Sequence, residues 1–130
     1  MREKIAAVII YLGIAACVAP PVTPQGAGPA PENYKAILKA HIEKSYFDPY
    51  SLRNVAISKP TLGKIGPNPG WLVCLQSNAK NRMGSYVGLK KDAYLIRNGI
   101  IIGSEDEAPV CETLQLDPWL ETETGRSLSK

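Results

Sequence analysis

The stretch "AYLIRNGIIIG", Ala93 to Gly103, sets Asn98-Gly99 between two runs of apolar, β-prone residues. A two-residue hairpin turn needs positive φ at both central positions, and Asn-Gly meets that need at the lowest steric cost, so the stretch predicts a β-hairpin. Two earlier runs, "NVAIS" (Asn54 to Ser58) and "WLVCLQS" (Trp71 to Ser77), read as further strands. "SYVGL", Ser85 to Leu89, reads as another, continuous with "AYLI" through a bulge at Lys90 to Asp92. Between the first two runs, "KPTLGKIGPNPG" (Lys59 to Gly70) carries three Pro and three Gly and reads as a turn-rich loop.

Upstream of the strands the period changes. Tyr34, Ile37, Leu38, Ile42 and Tyr46 recur at spacings of three and four, with Lys35, Lys39, Glu43 and Lys44 between them, which predicts an amphipathic helix with one buried stripe. Pro31-Glu32 suits its start and Asp48-Pro49 its end near Phe47, because the residue before a proline is pushed out of the helical region. "DPYSLR", Asp48 to Arg53, reads as one turn capped by Asp48. The expected fold is α+β: one N-terminal amphipathic helix on a small antiparallel sheet of three to four strands. With 130 residues, 45% hydrophobic and 21% charged, the chain has room for one domain with a small core.

The first residues obey a different logic. Arg2 and Lys4 precede "IAAVIIYLGIAA", Ile5 to Ala16, an apolar run of signal-peptide length, too short before Pro20 and Pro21 to cross the roughly 30 Å hydrocarbon core of a bilayer. "IAAC", Ile14 to Cys17, resembles a bacterial lipobox, which implies cleavage before Cys17 and acylation of its thiol; the alternative is a plain apolar helix with a buried cysteine. An anchor of more than one acyl chain holds stably to a membrane. Val18 to Pro31, rich in Pro and Ala, reads as a tether, or else as a tail lying on the domain. The expected organisation is a signal peptide at 1–16, lipidated Cys17 and tether at 17–31, a globular domain at 32–120 and a flexible tail at 121–130.

Export brings oxidising conditions, so Cys74 and Cys111 are candidates for a structural disulfide. A metal site with His41, the single histidine, lacks ligand-pair spacing, and there is no C-x-x-C for thioredoxin-like chemistry. No nucleophile elbow, P-loop or dinucleotide fingerprint occurs, so no catalytic residue, metal or cofactor is expected. His41 lies on or beside the apolar stripe of the helix, where a partly buried structural histidine is the simpler reading.

The most distinctive polar segment is "SNAKNRMGSYVGLKK", Ser77 to Lys91. Asn78, Lys80, Asn81, Arg82, Ser85 and Tyr86 crowd one short connection, as a binding surface or as turn chemistry in which Asn side chains bond nearby backbone. "CLQSNAKNRMGSYVG", preceded by "FDPYSLR", resembles a pattern of small exported bacterial lipoproteins of uncharacterised function, over roughly Asp48 to Leu89. Ser85 stands where that pattern often has a second glycine, and Ser77 where it often has valine.

Charge is divided along the chain. From Glu32 to Ser104 there are eleven Lys or Arg and four Asp or Glu, whereas Glu105 to Glu123 holds seven acids and no Lys or Arg. The acidic stretch is expected to fold back over the basic body or to face a partner. A basic body suits anionic headgroups or peptidoglycan carboxylates; with no basic run longer than two, an exported chain is not expected to bind nucleic acid. The expected function is a non-enzymatic, lipid-anchored binding or assembly module. It would sit on the periplasmic side of a bacterial envelope, at the outer membrane, with an envelope protein or peptidoglycan as partner. The alternative is a small periplasmic enzyme such as a cell-wall hydrolase, which a cleft joining His41 to a Ser or Asp would favour.

Overall fold

A computed structural model describes residues 26–119 of the chain. The expected signal peptide, Cys17 and the 121–130 tail lie outside the described residues.

The apolar stripe forms α1 (Tyr34–Ser45), with Leu38 and Ile42 fully buried and Tyr34, Ile37 and Tyr46 packed at the margin. The helix begins at Tyr34, three residues after Pro31 and well inside the chain, so it is not N-terminal as expected. It stops where Tyr46 turns extended, its N–H still bonded to the Ile42 carbonyl at 3.0 Å. Pro49–Ser51 then makes a short 3₁₀ turn. Asp48 stands at the cap position of that turn, but its side chain makes no capping bond; the Ser51 hydroxyl instead donates to the Asp48 carbonyl at 3.1 Å.

Six antiparallel strands come next, in place of the three to four expected: β1 (Arg53–Ile57), β2 (Thr61–Ile65), β3 (Asn68–Lys80), β4 (Tyr86–Arg97), β5 (Ile100–Glu105) and β6 (Asp117–Pro118). The order across the sheet is β5-β4-β3-β1-β6, with β2 also on β3. β3 is the spine. Its first half pairs β2 from Leu72 to Asn68 and its second half pairs β1 from Leu75 to Asn78, while β4 runs along its other edge.

The extra strands come from segments whose punctuation hid them. Gly66 (φ +58°) and Pro67 form a two-residue turn, so the Pro- and Gly-rich stretch is a β2–β3 hairpin rather than a loop. Between β1 and β2 the ladder breaks, and the buried Ser58 repairs it: its N–H donates to the Cys74 carbonyl at 2.9 Å, and its hydroxyl accepts the Cys74 N–H at 2.8 Å. The Asn98-Gly99 hairpin is present, with φ of +52° and +78°. The bulge in β4 is not at Lys90 to Asp92, where pairing with β3 is regular, but at Val87-Gly88. Gly88 (φ +97°) takes a conformation that an L side chain would strain, and its N–H is held by Asn78 Oδ1 at 3.0 Å.

Side chains alternate across the sheet, and both faces are covered. On one face α1 packs over Val55, Ile57, Val73, Leu75, Tyr94 and Ile96. On the other, Leu72, Cys74, Ala93 and Leu95 meet Ala108 and Cys111 from the chain after β5. That chain makes a 3₁₀ turn at Pro109–Glu112, where Cys111 bonds Cys74 (S–S 2.04 Å, Cα–Cα 5.6 Å). It then pairs with the β1 edge as β6 and places Trp119, 2% exposed, in the helix-side core, its N–H on the Val55 carbonyl at 2.9 Å. As far as Trp119 the acidic stretch thus folds back on the body, with Lys91 paired to Glu112 at 2.7 Å. At the other terminus, 26–31 lies on the domain: Ala27 is fully buried, and the Trp71 indole donates to the Gly28 carbonyl at 3.1 Å.

Covering the sheet in this way has measurable effects. Because the crosslink closes 37 residues of chain, replacing Cys74 and Cys111 together by Ala should cost on the order of 3–4 kcal/mol, read as a lower urea midpoint. In native, unreduced protein neither sulfur should react with a maleimide. A second effect concerns Asp92, whose Oδ1 accepts the Glu107 N–H at 2.9 Å and so pins the start of the returning segment. Burial raises the Asp92 pKa, the Glu107 bond opposes the rise, and Asp106 adds to it. A raised pKa in the folded state favours the neutral acid, so this contribution to stability is present at low pH and is lost as pH rises through the raised value. Asp92→Asn keeps the acceptor and should therefore raise Tm at pH 7, with the gain vanishing below the ordinary Asp value of 3.8.

Candidate functional site

The polar segment singled out in the sequence is the far end of the β3–β4 hairpin. Asn81 builds its turn: the backbone N–H bonds the Ser85 carbonyl at 2.9 Å, and Oδ1 accepts the N–H groups of Met83 at 3.0 Å and Ser85 at 3.1 Å. Asn78 is committed likewise, to the Gly88 N–H. Both asparagines therefore do turn chemistry, and the side chains left to face a partner are the cations and aromatics. Ser85 is exposed and has no positive φ, so glycine is not required there.

Tyr86 fixes the hairpin to the rest of the domain. Its hydroxyl crosses the end of β3 and donates to the Ser51 carbonyl at 2.8 Å. The Arg53 guanidinium lies over its ring at 4.0 Å, and Lys80, paired with Tyr86 in the ladder, has its ammonium 5.4 Å from the same ring. Arg82 lies 5.9 Å from the Phe47 ring. Such cation–π contacts hold a charge against an apolar surface without neutralising it. Arg53, Lys80 and Arg82 form no ion pair with any acid among the described residues. Phe47 is 62% exposed, Tyr50 52% and Met83 91%.

The structure thus brings Lys80, Arg82 and Tyr86 together and adds Phe47 and Arg53, which stand outside that polar run of the sequence; the exposed Tyr50 precedes Ser51, which holds Tyr86. The available signal was the "DPYSLR" segment, which precedes the hairpin segment in the resembling pattern and here lies against it.

The other candidates fall elsewhere. His41 stacks edge-on against Tyr94 with ring centroids 5.0 Å apart, and partial burial lowers its pKa. Its Nδ1 is 3.4 Å from the Ser45 hydroxyl one helical turn on, a long, exposed contact. Tyr94, hydrogen-bonded to Tyr46 at 3.2 Å, has a pKa raised by burial. A cavity of about 230 Å³ beside the β1–β2 break is lined by Ser58, Lys59, Thr61, Leu114, Gln115 and Asp117, and His41 is not among its lining residues. Among the described residues no three His, Cys, Asp or Glu side chains come together as a metal site. None of their helices is long and apolar enough to cross a membrane.

No family model, curated protein or solved structure matches the chain.

Tyr86→Phe removes the bond to Ser51 and keeps the ring beneath Arg53. It should destabilise the domain by about 0.5–1.5 kcal/mol in urea unfolding. Restored stability in a Tyr86→Phe background should not be obtainable by adding salt, because the lost bond is not ionic.

Proposed function

We propose that the chain is a lipid-anchored, non-enzymatic binding or assembly module on the periplasmic side of a bacterial envelope, held through Cys17 and engaging its partner through the hairpin end. The observation that carries the binding reading is the set of three cations without an ion-pair partner among the described residues, two over the half-buried Tyr86 and one beside the exposed Phe47. The anchor reading is supported by the lipobox resemblance of Ile14 to Cys17 and by the disulfide, which fits an oxidising compartment. The resemblance to small exported bacterial lipoproteins agrees with both.

An outer-membrane location, with an envelope protein or peptidoglycan as partner, belongs to the same proposal. The enzyme alternative would need a nucleophile and base in a cleft. The His41–Ser45 contact, exposed on one helix face, does not supply that arrangement.

Cys17→Ala tests the anchor and Lys80→Ala with Arg82→Ala tests the surface. Intact mass should show an acylated N-terminal Cys17, and Cys17→Ala should leave an uncleaved chain without the lipid mass. The double variant should keep its Tm within about 0.5 kcal/mol equivalent. It should also lose salt-sensitive capture of partner from envelope extracts. An acyl-free wild-type N-terminus would remove the anchor; unchanged capture at low salt would remove the surface.

A further inference from the structure

The chain enters the domain at one end of the sheet, and the cation–aromatic patch occupies the other. Residues 26–31 pack where β3 begins and β4 turns into β5. Gly26 lies against Pro69, Gly28 against Asn98 and Trp71, and Pro29 to Asn33 line an open cleft with Asn98 and Gly99. From there β3 runs its 13 residues to Lys80, a span of roughly 40 Å at about 3.3 Å per residue. The hairpin turn, Phe47, Tyr50, Arg53 and Arg82 gather around that far end. An anchor N-terminal to Gly26 attaches at the end opposite the patch.

We propose that the far end binds a polymer of sugar rings whose peptide stems bear free carboxylates, the chemistry of the peptidoglycan wall, on the side of the domain turned away from its own bilayer. The orientation rests on the reading of Cys17 as a lipid anchor; the ligand class does not. Unpaired guanidinium groups select planar anions, because their fork matches the two oxygens of a carboxylate. Lys80 adds a point charge held near the Tyr86 ring. The exposed rings of Phe47 and Tyr50 present flat apolar faces, on which the C–H face of a sugar ring packs by dispersion. Cations alone would serve any anion. Cations interleaved with exposed rings suit a ligand that alternates charge with flat apolar faces. Among the described residues no acid pairs with Arg53, Lys80 or Arg82, although Asp48 stands between Phe47 and Tyr50, and Glu112 is taken by Lys91.

The test uses the full chain in detergent micelles, sedimented with purified insoluble peptidoglycan sacculi at low ionic strength. Wild-type protein should co-sediment, and soluble muramyl-peptide fragments should displace it, whereas glycerol phosphate, the group that anionic lipid heads share, at equal concentration should not. Arg53→Ala with Lys80→Ala and Arg82→Ala should weaken retention at least tenfold. Because Arg53 also packs on Tyr86, a second variant, Lys80→Glu with Arg82→Glu, leaves that contact in place and should lose retention equally at unchanged Tm.

Failure to sediment, equal sedimentation of the Lys80→Glu/Arg82→Glu variant, or equal displacement by glycerol phosphate overturns the assignment, the last in favour of a phosphate headgroup. Salt-sensitive capture of an envelope protein without sedimentation would leave the binding-module reading standing and remove the polymer.

Discussion

The crosslink between Cys74 and Cys111 is the constraint on which the rest of the architecture depends. Cys74 sits at the centre of β3, the middle strand of the sheet, and the bond draws the acidic chain after β5 across the face that α1 leaves open. Without that cover, Leu72, Ala93 and Leu95 would face water. A domain this small has little burial to spare, so closing a long loop supplies a substantial share of its stability. The tie also directs the chain beyond Cys111. From there the segment reaches the β1 edge as β6 and carries Trp119 round to the helix-side core.

Covering both faces leaves function to the ends. At the entry end, Trp71 and Asn98 hold the incoming chain. At the other, the hairpin projects cations and aromatic rings that no acid neutralises among the described residues. Tyr86 joins fold and surface. Its hydroxyl locks the hairpin to Ser51, and its ring supports Arg53 and Lys80, so the same side chain that stabilises the end also positions its charges. Asn78 and Asn81 contribute in a different way, by making the bulge and turn that set the hairpin's shape.

The features legible in the sequence are local ones. The stripe of α1, the Asn98-Gly99 turn and the strand around Cys74 each announce themselves within a few residues, and the α+β class comes from them. β2 is hidden because Gly66, Pro67 and Pro69, which make and flank its hairpin turn, are the residues that mark loops. β6 is two residues long, too short to carry a strand pattern, and follows six residues after the crosslinked Cys111. The cation–aromatic end is half legible. Lys80, Arg82 and Tyr86 stand in one polar run, but Arg53 lies on them only because β1 and β4 flank β3, a fact of topology rather than of spacing. The burial of Ala27 within a Pro-rich stretch leaves no periodic signal at all.

The central claim is that the two ends of β3 have different partners, an anchor behind one and a ligand at the other. A photo-crosslinking side chain placed at Met83 in the hairpin, and separately at the exposed Lys64 near the entry end, tests it in growing cells. Salt-sensitive crosslinks to cell-envelope material from Met83 and few from Lys64 are the predicted result. Crosslinks of equal yield from both positions, or from Lys64 alone, would contradict it.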